Sequence, residues 1–280
     1  MTRIAAVCFV AATAAFFASA EEAEDRWYFS AGAGLNLTAT LDQNGYSYDD
    51  VAYPDLDYSH LPGGQPDGFR WHYVVETESG QAFQAAVGRM FKNGGRLELR
   101  YDRRNAALEH GEKKSTYLYG DEIKGRETEI VGTPKWGIGD LLTDTLSLNA
   151  YYGVPVADEK ITPYLGFGVG LSRATATDVY FESQYAGTAE PGGPAPETFN
   201  NLQDVDVAGV VSTQILSAGV DYRLTNETLV GLKYAYAVVD DIEQEDLYQI
   251  HPKPGFTSVT RFSGMNHWSI GIEVKYLLGE

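Results

Sequence analysis

Charged residues of both signs recur at alternate positions in several short stretches of the sequence. In a β-strand, residues two apart point to the same face, so these acidic and basic groups would lie side by side. If that face were buried, the groups would have to form ion pairs, because an unpaired buried charge is costly. We therefore predict a charge network, whose members are Glu98, Arg100, Asp102, Asp221, Arg223, Lys233, Glu273 and Lys275.

Histidine and serine residues raise the alternative of nucleophilic catalysis. The histidines are His60, His72, His110, His251 and His267. No two of them have the spacing of ligands on a metal-binding helix. Ser263 and Ser269 lie near His267 in the sequence, but a hydrolase would also need an acidic residue that orients the histidine. Because these residue types form no specific pattern, the sequence predicts neither an enzyme nor a bound cofactor.

Acidic residues gather in two segments outside the charge network. One group lies within residues 49–57, and the other extends from Asp240 to Asp246. Carboxylate oxygens are the ligands that Ca²⁺ prefers, but neither segment has the EF-hand pattern. A solvated acidic surface and a loop that binds divalent cations are both compatible with these residues.

The elements that carry the charge network show alternation of apolar with polar or small side chains. Eight runs have this pattern, which is typical of β-strands with one apolar face. They span 27–38, 81–91, 96–102, 146–152, 161–174, 214–223, 228–238 and 267–277. One run contains Gly166, Gly168 and Gly170, but a phosphate-binding loop would need a turn that leads into a helix. These glycines therefore predict a face of small residues on a strand.

The connections between the runs are of two kinds. Short turns occupy 92–95 and 153–160 and surround Thr225 and Asn226. The long connections, which alternate with the short turns, span 39–80, 105–145, 178–213 and 239–264. This asymmetry is typical of outer-membrane barrels, which have short periplasmic turns and long extracellular loops. The segment 189–198 is rich in proline and glycine and is predicted to be a mobile loop tip.

The two faces of the runs predict what each one contacts. We expect the bulky apolar face to contact lipid and the face with glycine, serine and charged residues to line the lumen. An eight-stranded barrel has an interior just wide enough for side chains to fill, so we expect paired charges to plug the lumen. Arg223 and Lys275 lie close to the ends of their runs, where we expect them to remain hydrated.

Residues 1–20 have the features of a secretory signal peptide. The apolar run Ile4–Phe17 is followed by small residues at 18–20, which offer a cleavage site. A single barrel domain would then span 21–280. The only cysteine, Cys8, lies in this signal, so no disulfide is expected in the exported chain. The net charge of −18 argues against nucleic acid as a partner, because phosphate binding needs a basic surface.

The whole pattern resembles the small eight-stranded outer-membrane barrels of Gram-negative bacteria, the OmpA-like and opacity-protein-like "porin family" surface proteins. In the last run, Ser269, Gly271, Val274 and Tyr276 look like the C-terminal signal that the barrel-assembly machinery reads. Many such proteins end at this aromatic residue, whereas four more residues follow here. The resemblance implies an all-β, antiparallel, up-and-down barrel in contact with outer-membrane lipid and lipopolysaccharide, and handled by periplasmic chaperones during export.

Three functions are compatible with this architecture. The favoured hypothesis is a non-enzymatic surface barrel, whose long acidic loops form an adhesion, antigenic or partner-binding surface for a host or extracellular ligand. A narrow porin-like channel for small solutes is the alternative. A soluble lipocalin-like carrier is the third, and it would require the apolar face to turn inward. The sequence alone identifies neither the loop partner, nor the conductance, nor the oligomeric state.

Overall fold

A computed structural model describes residues 25–47, 56–57, 69–118, 121–122, 124–125, 131–156, 160–186, 195–252 and 254–279. The predicted signal peptide, most of the first acidic segment and residues 189–194 of the predicted loop tip lie outside the described residues. Among the described residues, none forms a helix of the length and apolarity that crossing a membrane requires.

Antiparallel strands form a closed ring. Its members are β1 (Arg26–Thr38), β2 (Gly80–Met90), β3 (Gly95–Leu118), β4 (Asp140–Gly153), β5 (Ile161–Ala186), β6 (Asn201–Arg223), β7 (Thr228–Val239) and β8 (His267–Leu277). Each strand pairs with the next one along the chain, and β8 pairs with β1, which closes the ring. All eight predicted runs lie on these strands, so the predicted up-and-down barrel is confirmed.

Side chains in the part of each strand next to the short turns alternate between the outside and the lumen. Leu165 and Ile272 on the outside are 68% and 61% exposed, whereas Gly168 and Glu273 are buried inside. Large exposed apolar side chains form a belt around this part of the barrel, as on a surface that contacts lipid. The predicted facing is confirmed, and the inward apolar face of a lipocalin-like carrier is contradicted.

The barrel strands continue beyond this belt, away from the short turns. β5 alone has 26 residues, whereas about 9–11 residues are enough to cross a bilayer. Five other barrel strands are continued after breaks of two or three residues by Leu41–Ser47, Phe69–Thr77, Val131–Gly137, Ile242–Leu247 and Thr257–Ser263. We call this continuation the outer extension and the part with the apolar belt the membrane segment.

Hydrogen-bonded ladders join most strands of the outer extension in the same order as in the membrane segment. Leu41–Ser47 lies between Phe69–Thr77 and Thr257–Ser263, and Ile242–Leu247 pairs with Thr257–Ser263. Phe69–Thr77 also pairs with β3, and Val131–Gly137 pairs with β5. The extension is therefore a continuation of the barrel rather than a set of separate loops.

This result corrects the prediction of long irregular loops. The described parts of the four long connections are largely β-structure, and the second acidic segment lies mainly in the strand Ile242–Leu247. The sequence shows no clear alternation in these strands because their inner face also carries polar side chains, such as the buried Gln43, Gln203 and Ser258. At the predicted loop tip, the described part is a short 3-10 helix, Pro196–Phe199. The remaining short strands are Leu56–Asp57, Asp121–Glu122 and Lys124–Gly125.

An apolar cluster fills the barrel where the membrane segment meets the outer extension. Inward side chains from the barrel strands meet side chains that flank the breaks, and we call this cluster the junction core. Its buried members are Leu41, Val75, Leu108, Leu141, Ala174, Ala176, Val179, Val207, Val239, Ile242, Phe262 and Met265. Removing these side chains from water stabilises the attachment of the extension to the barrel.

Candidate functional site

The lumen of the membrane segment contains a network of buried ion pairs near the short turns. Arg100 lies at its centre, since its Nε donates to Glu98 Oε1 at 2.6 Å and its Nη2 donates to Glu273 Oε1 at 2.7 Å. The remaining Nη1 donates to the side chain of Gln84. Arg100, Glu98 and Glu273 are each no more than 2% exposed, so these pairs are shielded from bulk water.

A third carboxylate, Asp221, extends the network towards the turns. Asp221 accepts a hydrogen bond from Arg96 Nη1 at 2.6 Å and another from Lys275 Nζ at 2.7 Å. Lys275 also lies 3.2 Å from Glu273 Oε2, which connects this group to Arg100. Glu98, Glu273 and Asp221 thus meet Arg96, Arg100 and Lys275, so each of these six buried side chains has an opposite charge beside it.

Three inward tyrosines close the spaces around these ion pairs. Tyr28 donates to Glu98 Oε2 at 2.8 Å, and Tyr151 donates to Glu98 Oε1 at 3.1 Å. Lys233 Nζ in turn donates to the Tyr151 hydroxyl at 3.1 Å. The guanidinium of Arg96 lies 4.4 Å from the ring centroid of Tyr164, within the range of a cation–π interaction.

Glycines on neighbouring strands make room for these tyrosines. Gly166 is the cross-strand partner of Tyr151, and a Cβ at Gly166 would lie 2.1 Å from the Tyr151 ring. Gly88 stands opposite Tyr28 and Gly219 opposite Tyr164, with corresponding distances of 2.5 and 2.4 Å. The inward glycines therefore leave space for these large rings to lie against the neighbouring strands.

The structure places most predicted members of the charge network together. Asp102 forms its ion pair with Arg104, at 3.3 Å, rather than with Arg100. Arg223 is only partly buried at the turn end of β6, as expected for a hydrated residue. Lys275 was expected to be hydrated too, but it is 2% exposed. Its amine reaches inward to Asp221 and Glu273, and the barrel wall continues past it.

Sequence reasoning missed several members of the network. They are Tyr28, Gln84, Arg96, Arg104, Tyr151 and Tyr164. Arg96 and Arg104 share the alternation of Glu98, so extending the same period by one step in each direction would have found them. The tyrosines carried no such signal, because tyrosine occurs on both faces of these strands.

Beyond the ion pairs, the lumen is lined by hydroxyl groups and glycines. Ser172 lies 2.7 Å from Thr145 and 2.5 Å from Thr213, with all three Oγ atoms buried. Farther on, the junction core fills the interior with apolar side chains. Two different barriers, one charged and one apolar, therefore lie along the axis of the barrel.

The sequence raised two chemical alternatives, a metal site and a catalytic serine–histidine pair. No group of three or more His, Cys, Asp or Glu side chains is arranged there to hold a metal ion. His267 is buried at the outer end of β8, and no hydrogen bond joins it to Ser263 or Ser269 in the described part of the chain. His72 Nε2 lies 2.7 Å from Asp42 on the surface of the outer extension.

The four residues of the predicted assembly signal lie on β8. Val274 and Tyr276 face outward and are 46% and 50% exposed, whereas Ser269 and Gly271 are on the inward face. The aromatic and apolar members are thus accessible from the lipid side. Recognition by the assembly machinery stays a prediction.

Similarity to known proteins agrees with this architecture. A family model described as outer membrane protein beta-barrel domain matches residues 4–251. None of the curated protein sequences compared with the chain matches it significantly.

Solved barrels of similar topology were also found. They include Neisserial surface protein A (12% identity, TM-score 0.41, covering 89% of this chain and 96% of that one). OprG from Pseudomonas aeruginosa has 11% identity and a TM-score of 0.46, covering 92% and 98%. Ail of Yersinia pestis, solved with the heparin analogue sucrose octasulfate, has 10% identity and a TM-score of 0.34, covering 90% and 99%. Since none of these scores reaches 0.5, the fold assignment rests on the strand pairing and the family model.

Proposed function

Because the chain belongs to the family of outer membrane protein β-barrel domains, we propose that it is a non-enzymatic surface protein, anchored by its membrane segment. The outer extension presents an acidic surface to partners outside the cell. Adhesion, antigenic display and partner binding are the functions that such a surface serves. The protein is located in the outer membrane of a Gram-negative bacterium.

The continuation of the strands beyond the apolar belt carries this proposal. A barrel that only spanned the membrane would need no more than the belt, whereas here β3, β5 and β6 run on into the extension. The junction core fixes the extension to the barrel through buried apolar side chains. The outward face of the extension carries acidic residues such as Asp204, Glu243 and Glu245, which remain exposed. A rigid, charged platform of this kind suits recognition of an external partner.

A narrow channel for small solutes is the alternative. In its favour, the lumen of the membrane segment is lined by polar side chains over most of its length. Against it are the two barriers, since an ion would have to pass the Arg100 network and then the junction core. We therefore favour a closed lumen.

The first experiment tests the role of the outer extension. Cells that produce the full barrel are compared with cells producing a barrel trimmed at the height of the breaks, also through the continuous strands β3, β5 and β6. Short turns replace 41–77, 109–137, 179–205 and 242–263. Adherence to cultured epithelial cells and reaction with antiserum against the intact protein are measured, and folding is checked by the mobility shift on unheated gels. We expect adherence and most antibody binding to be lost. Equal adherence of the trimmed barrel would refute the proposal.

A milder variant separates surface charge from folding. In the triple variant Asp204→Asn, Glu243→Gln, Glu245→Gln, the extension keeps its strands but loses three outward charges, and adherence to a basic partner should fall.

Single-channel recording of the native protein tests the alternative function. Stable, ion-selective conductance steps would show that the lumen is open and would favour the channel.

A further inference from the structure

Three charged side chains lie next to one another on the outer face of the barrel, across β3, β4 and β5. Arg103 is the cross-strand partner of Asp144, and Asp144 is in turn the partner of Arg173. With strands about 4.8 Å apart, the Cα atoms of the two arginines are about 10 Å apart. Two arginine side chains at that spacing can converge on a single bound group.

This cluster marks the outer edge of the apolar belt. The next outward residues towards the short turns are Tyr101, Leu146 and Leu171, which are 44%, 55% and 60% exposed. In the opposite direction along the strands, the outward face soon becomes acidic, with Asp140 and Glu109 both exposed. The arginines therefore lie between the lipid-facing surface and the acidic extension.

The two arginines are poorly neutralised within the protein. Arg103 Nε is 4.0 Å from Asp144 Oδ1, at the limit of an ion pair, and its side chain is 58% exposed. Asp144 instead accepts a hydrogen bond from Tyr101 at 2.5 Å. Arg173 is exposed, and the described part of the chain offers it no ion pair.

Other outward arginines of the described chain differ in this respect. Arg89, near the short turns, lies 3.0 Å from Asp25. Arg261, in the outer extension, donates to Asp241 through both Nε and Nη2. The cluster on β3 to β5 thus has positive charge left over for an external anion.

We propose that Arg103 and Arg173 bind a phosphate group of a phosphorylated glycolipid in the outer leaflet. The planar guanidinium forms paired hydrogen bonds with phosphate oxygens, which makes arginine well suited to this group. The acyl chains of the same lipid would then pack on Tyr101, Leu146 and Leu171, directly beside the arginines. A soluble anion would lack that apolar contact, so its binding would depend on the two arginines alone.

The test measures lipid association of the folded, exported chain in phosphatidylcholine nanodiscs. Spin-labelled lipid A is used in two forms, one with both phosphates and one chemically dephosphorylated, and inorganic phosphate is added as a competitor in a separate arm. We expect at least fivefold tighter association of the phosphorylated form and no competition by millimolar inorganic phosphate. Equal association of the two forms would overturn the proposal, and competition by inorganic phosphate would assign the site to a free anion instead.

Variants connect the effect to the named side chains. The double variant Arg103→Gln, Arg173→Gln should lower association of phosphorylated lipid A about tenfold, the size expected for losing charge-assisted hydrogen bonds. Asp144→Asn should raise association, because it removes the carboxylate that competes for Arg103. Arg89→Gln is the matched control at the opposite edge of the belt, and it should have no effect. A decrease in Arg89→Gln as large as in the double variant would refute the assignment.

Discussion

The membrane segment and the outer extension are parts of the same strands, yet they place their apolar side chains on opposite faces. In β5, Leu171 faces outward and is 60% exposed, whereas Val179 faces the interior and is 6% exposed. In β6, Leu216 on the outside and the buried Val207 show the same reversal. Hydrocarbon surrounds the first part and water the second, so burial of apolar surface favours opposite orientations.

In several strands the reversal coincides with an irregularity. β5 changes its register between Ala176 and Val179, and Asp178 between them has a φ of 51°. One extra residue exchanges the two faces of a strand, so a bulge is enough to reassign which positions point inward. Five other strands are simply interrupted at this height. In β6, by contrast, the positions that face inward in the membrane segment also face inward in the extension, as Ser217 and Val207 do, and only the chemistry of the side chains at these positions changes. The comparison shows that a strand can serve two solvents either by a reset of its alternation or by a change in which face carries apolar residues.

Phe262→Ala should have the largest effect on this comparison, because it removes a fully buried ring from the junction core. We expect a loss of about 4 kcal/mol in the free energy of unfolding, as for other buried phenylalanines. Hydrogen exchange should show the loss in the outer extension, while the membrane segment keeps its protection. Leu247→Ala, on a neighbouring strand but 59% exposed, is the control with an expected change below about 0.5 kcal/mol. Equal effects of the two changes would mean that the junction core does not hold the extension.

Glu273→Ala should be the most damaging single change inside the membrane segment. It removes a partner from both Arg100 and Lys275 and leaves buried positive charge uncompensated. The expected cost is about 3 kcal/mol, at the lower end for broken buried pairs because each cation keeps one other carboxylate. Urea unfolding in lipid vesicles measures it. Glu243→Ala, outward in the extension, should cost almost nothing, and a similar cost at both sites would contradict the contrast between lumen and outer surface.

Leu148→Arg tests the lipid-facing belt directly. Leu148 is 51% exposed, and its cross-strand partners Leu99 and Val169 are apolar and exposed as well. An arginine there should cost about 2 kcal/mol in vesicles, because lipid-facing charge is disfavoured near the bilayer centre. Asp204→Arg places the same side chain on the outward face of the extension, where water solvates it. If both variants folded equally well, the apolar belt would not be in contact with hydrocarbon.

The membrane segment was readily predicted from the sequence, whereas the extension was not. Alternation is clear in the membrane segment because one face meets lipid and the other a narrow polar lumen, as with Leu148 between Ser147 and Asn149. In the extension, polar Gln43 and Gln203 are buried beside apolar Val75 and Phe262, so hydropathy has no clean period. The same alternation predicts which charged residues of the network face inward. It does not predict their ion pairs, because these depend on which strands are neighbours.

Tyr73 gives the test with the smallest expected effect. Its ionisation should make the stability of the outer extension depend on pH. Tyr73 is buried in the outer extension, and desolvation raises its pKa from 10.0 to about 12. A raised pKa means that its stabilising contribution is complete below pH 10 and is lost as the pH rises through 12. At pH 11, Tyr73 should weaken the extension by roughly 1 kcal/mol, since one pKa unit separates this pH from either value. Hydrogen exchange of the extension at pH 8 and pH 11 measures this loss, and Tyr73→Phe should remove that part of it. An unchanged pH dependence in Tyr73→Phe would show that the ring is already hydrated, and the extension would then lack the dry interior that its apolar side chains indicate.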